Sequence, residues 1–299
     1  MRALKVICLF FLLGCGVVWA QIVPSPKIKA VATFSILGDM VKNVGGDKVD
    51  VAVLVGPDGD VHTFEPTPQE AIALARARVI FENGLHFEHW LDKIYQSSGS
   101  KAQRVVVTDG IEPIQMREGN AQDIDPHVWH DVSNAMLMVE RIRDGLITAD
   151  QVNAVYYREN AEKYLEELAR TDHWIIDTLK DIPDEHRHLV TSHDTFGYFA
   201  KRYGFAVIGT AIASASTEAV DPSAAQIAQL ITKIRSAGVK VVFAENTHDP
   251  KLLGSVAAEA GVKLAPKLYT DALGPAGSEG DTYIKMMRYN ARIFAESLK

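Results

Sequence analysis

The chain has 299 residues, 47% of them hydrophobic, with 31 Lys and Arg against 38 Asp and Glu and a formal charge of −7. That length and apolar fraction can bury one large core or two medium ones, favour two domains, and exclude a chain that is disordered or membrane-spanning throughout. The acidic balance argues against a nucleic-acid partner and suits a cation.

The first twenty residues, MRALKVICLFFLLGCGVVWA, combine a basic start (Arg2, Lys5), an apolar run over 6–18 and a small-residue cleavage site at Val18-Trp19-Ala20. They read as an export signal over 1–20, to be left out of the fold. A competing reading takes Leu12-Leu13-Gly14-Cys15 as a loose lipobox, with Cys15 acylated after cleavage. Cys15 lies inside the apolar run and is followed by apolar sequence, so free export is the preferred reading and a lipid anchor through Cys15 the alternative. Cys8 and Cys15 are the only cysteines. The mature chain therefore has no disulfide, thiolate metal site or cysteine nucleophile. Without Arg2 and Lys5 it keeps 29 basic against 38 acidic residues, a charge of −9 with histidine neutral.

Beyond the signal, short apolar runs alternate with helical patterns, which predicts parallel α/β architecture. Strands are expected over 28–35, 49–56, 79–83 and 104–109, with helices over 37–44, 67–77, 88–96 and 133–145. The second half repeats the style, with strands over 189–192, 206–210, 239–244 and 263–268 and helices over 195–203, 222–237, 250–260 and 282–297. Between the halves, 148–181 contains neither glycine nor proline. Tyr157, Ala161, Tyr164, Leu168, Ile175 and Leu179 recur there at helical spacing. Thr148 and Gln151 have capping-box spacing and Pro183 follows the end, so a single helix of some 33 residues, about 50 Å long, is expected to run along both lobes. The expected organisation is a signal at 1–20, a first α/β lobe at 21–147, a connecting backbone helix at 148–182 and a second α/β lobe at 183–299, each lobe a small Rossmann-like sheet.

In open α/β sheets, ligands gather beyond the carboxyl ends of the strands. His62 follows the 49–56 strand, His127 lies beyond the 104–109 strand, His193 ends the 189–192 strand, and Asp271 follows the 263–268 strand. Two candidates come from each half, and all four point to the cleft between the lobes. Three imidazoles and a carboxylate suit a divalent first-row ion. Singly, each histidine reads equally as a hydrogen-bonded or surface residue, and Asp271 as a turn cap beside Gly274 and Pro275. Glu245 ends the 239–244 strand, where a carboxylate either orients a ligand imidazole from behind or bonds to nearby backbone. His130, three residues after His127, is a candidate for the rim of the site, and Ser133 for capping the next helix. His86 and His89 flank a helix start, His173, His186 and His188 lie near the end of the long helix, His248 reads as a surface turn, and Asp221 as a helix cap after Glu218.

The segments HTFEPTPQ (62–69), DPHVW (125–129), TSHDTFGYFAKRYGF (191–205), FAEN (243–246) and LYTDALG (268–274) resemble the metal-binding solute-binding proteins of zinc and manganese ABC importers, the cluster A-I family. The resemblance runs through essentially the whole mature chain, in order. It implies two α/β lobes, a rigid backbone helix and one buried metal per chain, with the family's ligands falling on His62, His127, His193 and Asp271. It also implies a monomer that delivers its ion to an ABC permease in the cytoplasmic membrane. Zinc-associated members carry histidine at the His193 position where manganese-specific ones often carry glutamate, so Zn2+ is the expected ion and Mn2+ the alternative. The His- and Asp-rich loop frequent in dedicated zinc members is missing from ALARARVIFENGLHFEHWL (73–91). A zinc-dependent hydrolase is the competing class, with Glu245 as base. It lacks an H-E-x-x-H helix and would need an open coordination position that Asp271 fills. An adhesin role is neither favoured nor opposed by any residue.

Overall fold

The computed structural model describes residues 26–118, 121–212 and 222–299. The export signal, the alternative anchor at Cys15, Glu218 and Asp221 all lie outside the described residues.

The first lobe runs β1 (Ile28–Phe34), α1 (Ser35–Gly45), β2 (Val49–Val55), α2 (Pro68–Arg76), β3 (Val79–Glu82), α3 (Leu91–Ser98) and β4 (Gln103–Val106). A short antiparallel hairpin follows, β5 (Gln115–Glu118) with β6 (Ala121–Ile124), and then α4 (Val132–Ala149). After α5 (Ala154–Leu179) the second lobe runs β7 (His188–Thr191), α6 (Gly197–Tyr203), β8 (Ala206–Thr210), α7 (Ala224–Ser236), β9 (Val241–Glu245), α8 (Lys251–Ala260), β10 (Lys263–Leu268) and α9 (Tyr283–Leu298).

Both four-stranded sheets are parallel, ordered β2-β1-β3-β4 and, in the reverse listing, β8-β7-β9-β10. The lobes thus share one topology, with the chain reversing its winding direction at β1 and at β7. All four residues of β3 are buried, and its apolar run Val79-Ile80-Phe81 does not alternate with polar residues because helices cover both faces of a parallel sheet. Local chemistry sets the helix starts. Thr67 and Glu70 form a capping box at α2, with Pro68 in the first turn. Ser223 and Gln226 form another at α7, so Ser223 caps a helix that starts at Ala224 rather than at the expected 222.

The expected single helix over 148–182 is two. Helix α4 continues through Thr148, whose hydroxyl bonds back to the Asp144 carbonyl instead of capping a new helix. Asp150 then leaves helical geometry (φ −149°, ψ 79°), and its carboxylate accepts from Asn153 Nδ2 and Tyr157 OH, both at 2.7 Å. Helix α5 starts only at Ala154, and its 26 residues span about 39 Å rather than 50 Å. Its buried face is Tyr157, Ala161, Tyr164, Leu168, Thr171, Ile175 and Leu179, the anticipated stripe with Thr171 added. That face packs against α1, α4 and α9, and one continuous apolar core joins the first lobe to α5, α6 and α9. A second, smaller core lies on the far face of the second sheet, beneath α7 and α8.

Candidate metal centre

The carboxyl ends of the two sheets face each other, and the loops leaving them bring four side chains together. His62 lies on the β2–α2 loop, His127 follows the hairpin, His193 comes two residues after β7, and Asp271 three after β10. Their donor atoms all lie within 4.8 Å of one another. Asp271 Oδ2 is 3.1 Å from His193 Nε2 and 3.5 Å from His62 Nε2, Asp271 Oδ1 is 3.6 Å from His127 Nε2, and the His127 and His193 Nε2 atoms are 3.4 Å apart. All four residues are buried, His62 the least so at 4% exposure. His62 Nε2 and Asp271 Oδ2 are buried without a hydrogen-bond partner, an arrangement costly for a protein alone and natural where a cation completes it.

Two histidines are braced from behind by carboxylates. Asp125 Oδ1 accepts the His127 backbone N–H at 2.9 Å and meets its ring Nδ1 at 2.8 Å. Glu245 repeats this in the second lobe: Oε1 accepts the backbone N–H groups of Ser192 and His193, and Oε2 lies 2.5 Å from His193 Nδ1. With Nδ1 engaged, each ring turns Nε2 inward. Glu245 therefore stands where the sequence suggested a carboxylate could orient an imidazole. Asp125 was not singled out, although an aspartate two residues before a histidine can bond both its backbone and its ring. Gly197, just inside α6, permits this closeness: a Cβ there would lie 2.5 Å from Asp125 Oδ2.

The walls are apolar. Phe87 sets its ring edge-on to His62 at 4.8 Å, and Trp129 lies 5.3 Å from His127. Burial pushes the His127 pKa down to about 3, keeping that imidazole neutral, and pushes Asp125 up to about 7. Burial also opposes charge on His193, but the Glu245 and Asp271 carboxylates outweigh it and hold its pKa well above the ordinary value. For Asp271, burial is likewise outweighed, by the His193 and His127 imidazoles, and its pKa lies well below the usual carboxylate range.

The other histidines divide differently from the sequence reading. His130 is not at a rim: it is fully buried against Phe196, ring centroids 4.6 Å apart, with both ring nitrogens unpartnered and its pKa pushed down to about 3 by burial. Asp131, not Ser133, caps α4, accepting from both the backbone N–H and the hydroxyl of Ser133. His86, His89 and His173 are exposed. His248 is no surface turn, since its ring stacks on His193 at 5.0 Å.

The loop bearing Asp271 is pinned to the first lobe on both sides. Trp129 Nε1 donates to the Thr270 carbonyl, Ser35 Oγ accepts from Leu273 N, and Asp58 N donates to the Leu273 carbonyl, all at 2.9 Å. Asn246 reaches across, donating to Asp58 Oδ1 and the Ala272 carbonyl while accepting from Thr270 N.

Residues 30–297 match the family described as ZnuA, zinc-uptake complex component A, periplasmic. The chain is 35% identical to the manganese-binding lipoprotein MntA of Halalkalibacterium halodurans over 271 residues, 91% of this chain and 88% of that one. Among solved structures it superposes on the Mn-bound periplasmic metal binding protein of Candidatus Liberibacter asiaticus with TM-score 0.82 and 29% identity, covering 91% of this chain and 100% of that one. The periplasmic zinc binding protein TroA of Treponema pallidum gives TM-score 0.84 and 27% identity, covering 91% and 99%.

Proposed function

The chain belongs to the ZnuA family of periplasmic zinc-uptake components, and from that premise we propose that it captures a divalent first-row transition ion outside the cytoplasmic membrane and delivers it, as a monomer, to the permease of an ABC importer. The cargo site is His62, His127, His193 and Asp271, one ion per chain. The observation that carries this reading is the convergence of four buried donors from four separate loops at 3.1–3.6 Å along the paired contacts. A tetrahedron with metal–ligand bonds of about 2.0–2.1 Å has edges of about 3.3 Å, near the length of these four contacts. Protons compete with the ion for the imidazole lone pairs, so uptake weakens as pH falls.

We infer zinc as the preferred ion, from three nitrogen donors and the tetrahedral spacing. Manganese is the second reading, favoured by the manganese-binding name of the relative MntA. A catalytic ion would keep one coordination position open for water, whereas here four buried donors converge on one point. That relative is also a lipoprotein by name, which supports anchoring through Cys15 as the alternative to free export. Detergent-phase partitioning of the full chain that disappears in Cys15→Ala would establish the anchor, and an unchanged soluble product would establish free export.

The decisive experiment is metal competition at buffered free concentrations with elemental analysis. Wild type should hold one ion and retain Zn2+ against Mn2+, while Asp271→Ala should lose retention by at least about tenfold and gain no hydrolase activity. Full-strength binding after loss of both His193 and Asp271 would refute the site.

A further inference from the structure

After β9 ends at Glu245, the chain turns through Asn246, Thr247 and His248 before α8 begins. The His248 ring lies over His193, its plane inclined by 30°. Its side chain is 12% exposed, against 5% for His62 and 0% for His193, so it is the most open imidazole of this group. Nδ1 is 2.9 Å from Thr247 Oγ1 and 3.6 Å from Glu245 Oε2, while Nε2 is buried with no hydrogen-bond partner. With Nδ1 engaged by the Thr247 hydroxyl, Nε2 is the ring nitrogen left to coordinate a metal. His248, Glu245 and His193 also form a second compact group of donors, overlapping the inner four only at His193.

An aqueous divalent ion must shed its water to reach a site as buried as the inner four. Losing the whole shell in one step leaves a bare charge in a low-dielectric interior, whereas exchanging waters for protein donors in turn avoids that state. Resting on the cargo-site reading above, we propose that His248 is a transfer ligand: its Nε2, buried while the site is closed, takes the incoming divalent ion as the loops around the cluster part and passes it inward, and the same step runs backwards on release. The ring is one imidazole layer from His193, so the handover spans only a few ångströms. Nothing in the inner four requires His248, so its contribution is to rate.

The test separates coordination from packing. His248→Phe keeps an aromatic ring on His193 but removes the donor, and His248→Ala removes both. Zn2+ uptake from, and release to, a chromogenic chelator are followed by rapid mixing with the purified mature chain. A transfer ligand predicts that His248→Phe slows uptake and release together by about tenfold or more. Wild-type rates in His248→Phe, whatever His248→Ala does, would overturn the inference. So would a loss of affinity expressed in release alone, which would make His248 a static ligand. The cargo-site reading fails on a different result, Asp271→Ala binding as tightly as wild type.

Discussion

Asp125 and Glu245 each bond both the backbone and the ring of the histidine they brace, so the direction of His127 and His193 is fixed before any ion arrives. Glu245→Gln should therefore weaken zinc retention by about 10–100-fold with the fold intact, measured by competition against a chelator; unchanged affinity would mean that burial alone orients His193. A third buried carboxylate acts at longer range. Glu88 accepts from Thr33 Oγ1 at 2.6 Å, Asn83 N at 2.7 Å and Gly84 N at 3.1 Å, and the Asn83 side chain donates to the Pro126 carbonyl, next to His127. Burial outweighs those donors and raises the Glu88 pKa from the ordinary carboxylate range to about 7. A carboxyl whose folded pKa is raised favours the folded state most below its unfolded pKa, and that contribution is lost as pH rises through the folded value. With metal removed, the melting temperature of Glu88→Gln relative to wild type should therefore climb between about pH 4.5 and 7 and level off above. Parallel curves would show that Glu88 is ionised in the fold throughout. Glu245 and Glu88 do not announce their partners in the sequence, because each reaches groups that the fold brings in from another element, whereas Asp125 lies only two residues before the histidine it braces.

At the scale of elements, the strands and helices were legible because their periods are those of a parallel sheet covered on both faces, and the observed bounds mostly fall within two residues of the expected ones. The break between α4 and α5 was not legible by looking for glycine and proline. It is made by Asp150, whose side chain bonds forward to Asn153 and Tyr157, a turn that aspartate forms against an otherwise helical pattern. The β5–β6 hairpin was missed because its four-residue strands are short and polar, QMRE and AQDI. The four candidate donors were legible as strand-end residues, and His248 was not, since its stacking on His193 depends on how the β9–α8 turn folds back. Element packing also reaches the site. Gly197→Ala should push a methyl group into the Asp125 carboxylate, which is fully buried and held by His127. The expected cost is about 1–3 kcal/mol of stability, read from denaturant melts, together with weaker metal retention. Wild-type retention in a destabilised Gly197→Ala would show that Asp125 can move without disturbing His127.

For the whole molecule, an ion held by these four buried donors would have to leave either by a wide hinge between the sheets or by a local opening. A wide hinge would have to tear a core that is continuous from the first lobe into α5, α6 and α9. It would also break Tyr283 OH from the Trp129 carbonyl at 2.6 Å, Tyr283 N from Asp39 at 3.0 Å, and Tyr198 OH from the Asp125 carbonyl at 3.0 Å. Exposing that much apolar surface costs far more than opening one loop, because each buried large side chain contributes about 1.5–3 kcal/mol. The segment holding Asp271 is different: short hydrogen bonds through Asn246, Asp58, Ser35 and Trp129 pin it, and few groups must part to free it. Release is therefore expected to be local, centred on the loops after β7 and β10. On metal removal the radius of gyration, roughly 19 Å for a compact chain of this size, should change by less than about 1 Å in solution scattering. Amide exchange should accelerate around His193 and Asp271 while the buried face of α5 stays protected. A larger expansion, or faster exchange along α5, would put the hinge back at the connecting helix and make the two lobes the moving parts.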